Sequence, residues 1–191
     1  MKKVDVKGFT LMEVIGVLGI TIIITLIIYQ TFLISQKTFA ISSEHLEITQ
    51  NGRIFLDRIT RELRQAWAIA TPLPADKNIE GFPPPTEIMF QDGHGVPDVE
   101  YIKYYLDGNQ LKRQRIIYFF QTEPATHVFY DAKDDFGNSP QSQILDERTI
   151  AEYINQLILY GNTVTYIEIN LSKNNSTQHF ITGIWGRNTR P

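Results

Sequence analysis

The 191-residue chain contains no cysteine, which excludes both a disulfide framework and thiolate ligation of a metal. The lack of disulfides does not by itself identify a compartment. Histidine is scarce: His45, His94, His127 and His179 lie far apart, without H-E-x-x-H or any equivalent ligand spacing, so no metal site is expected. No phosphate-binding glycine loop and no nucleophile elbow occurs. We therefore assign no catalytic residue, no cofactor and no enzymatic activity. Positive charge is not in excess either, with 18 Lys and Arg against 21 Asp and Glu and a net charge of −3. A direct nucleic-acid partner would need a basic footprint that is missing. Finally, no proline precedes Pro72, so a helix ahead of that point meets no proline break.

What is present is enough for one domain with its own core plus an appendage: 42% of residues are apolar, 20% charged and 12% aromatic. The appendage is the run from Val14 to Gln36, where Tyr29 is the one ionisable residue and Ile, Leu, Val, Gly and Thr make up nearly everything else. As a helix at about 1.5 Å per residue, this length crosses a hydrocarbon core of roughly 30 Å. A buried helix of a soluble domain would carry a charged face over such a length. Lys2, Lys3 and Lys7 precede the run and only Lys37 follows closely; the positive-inside bias puts the N-terminus in the cytoplasm and the C-terminal part outside. A secretory signal peptide would have a shorter apolar region ending in small residues, whereas this one ends in T-F-L-I-S-Q-K.

The distinctive junction lies ahead of the apolar run, where K-G-F-T-L-M-E-V occupies Lys7 to Val14 and Glu13 is the one charge at the membrane edge. These residues resemble the prepilin signature of type IV pilins and type II secretion pseudopilins, in which a short basic leader ends in Gly before F-T-L-x-E. The resemblance implies cleavage between Gly8 and Phe9 by a prepilin peptidase and N-methylation of Phe9. Glu13 then becomes the fifth residue of the mature chain and an assembly carboxylate. A carboxylate there is costly without a partner, about 2.5 kcal/mol or more near the bilayer centre. Cleavage would supply one, the new α-amine of Phe9, in the same chain or in a neighbouring subunit; the resemblance favours the neighbour. A side chain snorkelling to the headgroups is the plainer alternative. Gly16 and Gly19 would let neighbouring helices approach closely. Loss of the leader leaves 15 cations against 20 anions, a net charge of −5.

Beyond the membrane the helical pattern continues. Leu46, Phe55, Leu56, Ile59, Leu63, Ala66, Trp67 and Ala70 recur mostly at three- and four-residue steps, one apolar stripe. Arg53, Asp57 and Arg61, and likewise Arg58 and Glu62, fall at four-residue spacing as a solvated face with i,i+4 pairs. One helix from about Thr10 to about Ala70 would be roughly 90 Å long, its first half projecting from the globular part, and T-P-L-P at Thr71 to Pro74 would stop it. Five of the nine prolines fall in 71–86, an irregular connector. Strands are expected at Glu87 to Phe90, Val99 to Leu106, Gln110 to Gln121, His127 to Tyr130, Leu157 to Tyr160, Val164 to Leu171 and His179 to Trp185. D-G-N at Asp107 to Asn109, G-N at Gly161 and K-N-N at Lys173 mark turns between antiparallel strands. Asp131 to Ile150 is polar and ambiguous, and Asp146 to Asn155 reads as a short helix.

The expected fold is therefore α+β and pilin-like. A leader (1–8) precedes the transmembrane and assembly half of one long helix (9–36). A globular part (37–191) follows, made of helix to 70, connector 71–86 and mostly antiparallel sheet 87–191. A finer resemblance, to the minor pseudopilin J and PilW-like group, rests on R-I-F-L-D-R-I-T-R-E-L-R-Q-A at Arg53 to Ala66, I-M-F-Q at Ile88 and Y-Y-L-D-G-N-Q-L-K-R at Tyr104 to Arg113. I-N-Q-L-I-L-Y and V-T-Y-I-E-I-N-L late in the chain add to it. It implies a structural role as a minor subunit near the tip of a type IV pilus or secretion pseudopilus. The implied partners are the prepilin peptidase, other pilin or pseudopilin subunits and the cytoplasmic (inner) membrane. A pilus-borne adhesin and a signal-anchored ectodomain without an assembly role are the competitors. D-A-K-D-D at Asp131 to Asp135 and the Asp92/Asp98 loop could hold calcium but match no EF-hand pattern, and a solvated turn is preferred. Lys112, Arg113 and Arg115 read as residues of an exposed strand edge.

Overall fold

A computed structural model of the chain describes Gly8 and residues 10–186. The expected leader lysines and Phe9 thus lie outside the described residues. Among the described residues the architecture is α+β: one helix, α1 (Leu11–Gln65), followed by eight strands. These are β1 (Glu87–Gln91), β2 (Tyr101–Asp107), β3 (Gln110–Phe120), β4 (Glu123–His127), β5 (Gln141–Ala151), β6 (Ile154–Tyr160), β7 (Val164–Lys173) and β8 (Ser176–Trp185). The chain divides into two compact units at Ser43/Glu44. In the first unit every large apolar residue from Leu11 to Ile41 is exposed, and the helix there is long and apolar enough to cross a membrane.

The second unit holds all the strands, in two antiparallel sheets. One runs β1-β2-β3-β4 with β5 also paired to β3; the other is the meander β6-β7-β8. Tight turns set the registers. Gly108 has φ +59° in the two-residue loop joining Asp107 to its partner Gln110, the backbone that a type II′ hairpin asks of its first central residue. Asn174 (φ +50°) does the equivalent between Lys173 and Ser176, where asparagine tolerates the left-handed region.

The core forms where α1 meets both sheets. Ile48, Phe55, Ile59 and Leu63, with Ala66 just past the helix end, bury completely or nearly so. They pack with Ile88, Phe90, Ile102 and Tyr104 of one sheet and Leu157, Leu159, Ile167, Ile169 and Leu171 of the other. Gly52 sits in the same stripe, and a Cβ there would come 2.7 Å from the Phe180 ring, so the helix needs glycine to seat β8. A smaller cluster, Val99, Tyr101 and Ile116 with Met89 and Tyr118, lies apart from this core.

Three expectations fail here. The helix ends at Gln65, short of Ala70 and well before the prolines. The residues after it turn extended because β1 offers them backbone partners: Trp67 N–H donates to Gln91 O (3.2 Å), Ala70 N–H to Met89 O (2.8 Å), and Gln91 N–H to Ala68 O (2.8 Å). Leu46 and Trp67 of the expected stripe are exposed, at 68% and 58%. Second, the stretch read as a helix at Asp146 to Asn155 is mostly β5. Its residues are largely exposed, so no apolar alternation marks it, and its ladder with β3 supplies the stabilisation that sequence pattern does not. Third, the strand placed at His127 to Tyr130 lies earlier, as β4, where it closes a short hairpin with Phe120 against Glu123.

Candidate assembly segment

The first unit begins with a capping arrangement. Thr10 precedes the helix and Glu13 stands three residues on. Thr10 donates both its backbone N–H (2.9 Å) and its hydroxyl (3.0 Å) to Glu13 Oε2, while Glu13 N–H reaches back to Thr10 Oγ1 at 3.4 Å. Each group satisfies a helix-end donor that would otherwise be orphaned. T-L-M-E at Thr10 to Glu13 carries the S/T-x-x-E signature ahead of an apolar run, so this role was readable from sequence and was missed. The carboxylate also stands at the positive end of the helix dipole.

The threonine hydroxyls of the apolar stretch that follows are satisfied internally. Thr21, Thr25 and Thr31 each donate a hydroxyl to the carbonyl four residues back, all at 2.8 Å, which removes the cost of a bare hydroxyl in hydrocarbon. Gly16 and Gly19 share a helix face, and a Cβ at either would meet nothing within 4 Å. Nothing in the described chain requires glycine there. Gly8 is exposed and lies outside the helix. The structure thus brings Thr10 and Glu13 together, leaves Gly16 and Gly19 open, and does not describe Phe9.

Two further groups of charges were misread from sequence. Glu62, taken as part of a solvated face, is largely buried. Its carboxylate accepts from Tyr104 Oη (2.6 Å), Arg113 Nε (3.1 Å) and Arg58 Nε (3.3 Å). Burial, and next the Glu62 charge, push the Tyr104 phenol far above its ordinary range. Lys112, Arg113 and Arg115 are not on a sheet edge, because β3 is central, paired with β2 and β5. Arg113 meets Glu62, Lys112 meets Asp107 (2.6 Å), and Arg115 forms a fork with Glu100 (2.6 and 2.8 Å). A neutralised cluster of this kind has no charge left over for an anionic ligand.

The proline-rich connector is tied to the outer side of the second sheet. Gly161 N–H donates to Pro74 O (2.7 Å), and Lys77 Nζ reaches Glu168 at 2.9 Å. Glu168 also accepts from Tyr160 Oη (2.7 Å) and has His179 at 3.7 Å. Lys77 first, then Tyr160, hold the Glu168 carboxyl below its ordinary value. Burial and the bond to Glu168 push Tyr160 up to about 12. On the first sheet's loops, the Asp134 carboxylate caps its own turn through Phe136 N–H and the Asn138 backbone and side chain. Asp92 does the same for His94. Among the described residues no three acidic or histidine side chains converge.

Scans against protein-family models, curated proteins and solved structures gave no match to this chain.

Proposed function

We propose that the chain is a structural, non-enzymatic subunit of a type IV pilin-like filament. A prepilin peptidase cleaves it between Gly8 and Phe9 and methylates Phe9; the mature chain then joins a pilus or secretion pseudopilus as a minor subunit near the tip. The observation that carries this reading is the junction at Gly8 to Glu13. A basic, glycine-ended leader meets a helix whose first turn holds a carboxylate, and an uninterrupted apolar surface without partners follows. A helix apolar on every side belongs either in a protein core or in a membrane, and no described residue covers this one. Open Gly16 and Gly19 are support of the same kind, since glycine costs helix stability without a close neighbour to justify it. The lysine bias supports an N-terminus in the cytoplasm with residues 37–191 outside.

Glu13 separates assembly from simple anchoring. Glu13→Gln keeps the cap, because glutamine serves in a capping box, but removes the charge that would pair with a neighbour's Phe9 amine. Glu13→Val removes both. With one cysteine placed at Leu18 of the cysteine-free chain and one in the apolar helix of a partner subunit, disulfide cross-linking in cells that carry both reports helix neighbours. Both variants should be cleaved and inserted, and both should lose cross-linking. Parent-level cross-linking by Glu13→Gln would defeat the charge-pairing account and leave Glu13 a cap alone.

A further inference from the structure

The second unit carries an aromatic groove that the assembly segment does not explain. It measures about 380 Å³ and is lined by Trp67, Ala68, Tyr101, Phe129, Tyr130 and Asp131, among others. Trp67, Phe129 and Tyr130 are 58%, 41% and 39% exposed. Tyr101 forms the floor: it is buried, packs edge-on against Tyr118 and Tyr130, and accepts the Tyr130 N–H at 3.3 Å. Trp67 Nε1 and Tyr130 Oη have no hydrogen-bond partner among the described residues. A groove lined by aromatic rings with an unpartnered indole N–H is the kind of surface that polyproline segments dock on, because proline rings stack on the rings and their backbone carbonyls are free to accept.

The same chain displays such a segment. Ile79 to Phe82 makes a turn closed by Phe82 N–H to Ile79 O at 3.4 Å, with Gly81 at φ +80°, as a type II turn requires of its third residue. The turn presents Glu80 and Phe82 outward, and Pro83, Pro84 and Pro85 follow with φ fixed near −65°. Gly81 through Pro83 are exposed and Pro84 and Pro85 half-buried. Charge gives the pairing a direction. Arg61 and Arg64, exposed in the last turns of α1 a few residues before Trp67, have no ionic partner among the described residues, and neither does exposed Glu80. Asp131 at the groove repels an acidic residue from its own side.

We infer that the groove of Trp67, Phe129 and Tyr130 binds the Glu80–Pro85 segment of a second copy of this chain, with Glu80 directed toward Arg61 and Arg64. Groove and segment are different surfaces of one molecule, so two copies can engage each other reciprocally, groove to segment and segment to groove. The inference rests on the membrane anchoring in that reading, which would bring copies together in one bilayer, yet needs neither cleavage nor Glu13.

The absence of native cysteine makes a direct test available. Full-length chains bearing Ala68→Cys and full-length chains bearing Pro83→Cys, both at exposed positions, are co-reconstituted in liposomes and mildly oxidised. The mixed disulfide should exceed by about tenfold that of a control pair, exposed Asn162→Cys with Pro83→Cys. Adding Trp67→Ala to the Ala68→Cys chain should bring the yield down to the control; an exposed ring can be removed without opening the core. A yield no higher than the control, or one that Trp67→Ala leaves intact, overturns the inference. Because the liposomes hold no peptidase or partner subunits, failure here is distinguishable from failure of the Glu13 assay.

Discussion

Replacing Glu62 by leucine should damage the domain far more than loss of a surface charge. Its side chain is 16% exposed and that of its partner Arg113 9%, while Tyr104 is fully buried. Arg113 and Tyr104 are directly opposite on β3 and β2, so one carboxylate fastens α1 to two strands at once. Glu62→Leu would leave a buried guanidinium beside Arg58 with no anion, a fault that costs about 3 to 5 kcal/mol in buried pairs. It would also leave the Tyr104 hydroxyl without an acceptor, about 1 kcal/mol or more. Partial exposure of Glu62 argues for the lower figure, so we expect about 4 kcal/mol in total, a large part of a stability of roughly 5 to 15 kcal/mol. Removing all three polar groups, in Glu62→Leu/Arg113→Met/Tyr104→Phe, should recover most of that, because an apolar replacement of matched volume is nearly neutral. Urea unfolding of residues 37–191, followed by circular dichroism, measures each step as a shift in midpoint at unchanged slope. A loss below about 1 kcal/mol for Glu62→Leu would mean the network behaves as an exposed pair and refute the reasoning; so would a triple variant no more stable than the single.

Two further outcomes follow from charges and from the leader. Glu168 is held below the ordinary 4.5 by Lys77 and Tyr160, so it contributes stability above that value and loses it as pH falls through the lower folded-state value. Thermal melts from pH 6 downward should therefore show a decline starting near pH 4.5 that Lys77→Met makes shallower. The change should be about 1 kcal/mol or less because Lys77 is 43% exposed; an unchanged profile would remove Lys77 as the cause. Gly8→Leu should leave the precursor uncleaved in the membrane, and N-terminal sequencing of the parent should begin at Phe9. A start at Met1, or beyond the apolar run, would end the prepilin reading.

The order of elements was legible where one physical signal acted alone. Runs of β-branched, aromatic and other apolar residues in L-I-L-Y and V-T-Y-I-E-I-N-L marked β6 and β7, glycine and asparagine marked the hairpin turns, and the four-residue steps from Phe55 to Leu63 marked the buried helix face. It failed where a distant partner decided the outcome. Trp67 to Thr71 has the composition of a helix end, yet β1 draws it into an extended path. β5 exposes most of its side chains, so only its ladder to β3 makes it a strand. Glu62 has the spacing of a surface pair with Arg58, and nothing nearby in sequence announces that Tyr104 and Arg113 will close over it. Of the candidate-site residues, the pairing of Glu13 with Thr10 was within reach of sequence, since a capping box is a local motif; the groove at Trp67 was not, because Phe129 and Tyr130 reach it only through the fold.

The capping box also bears on how one carboxylate could serve two ends. In the uncleaved chain Glu13 already has donors, the N–H and hydroxyl of Thr10, so on the proposed reading it could enter a membrane edge ionised without waiting for a partner. Cleavage after Gly8 would leave Thr10 as the second residue with both donors intact, and would add a cation one residue before it. A carboxylate oxygen accepts more than one hydrogen bond, and the box engages Oε2 alone. Among the described residues Oε1 has no donor, so it could accept an amine from another subunit while the cap holds the carboxylate in place. On this account, capping lowers the entropy cost of assembly rather than competing with it. Thr10→Val, which keeps the backbone donor but loses the hydroxyl, should then weaken cross-linking through Leu18→Cys less than Glu13→Gln does.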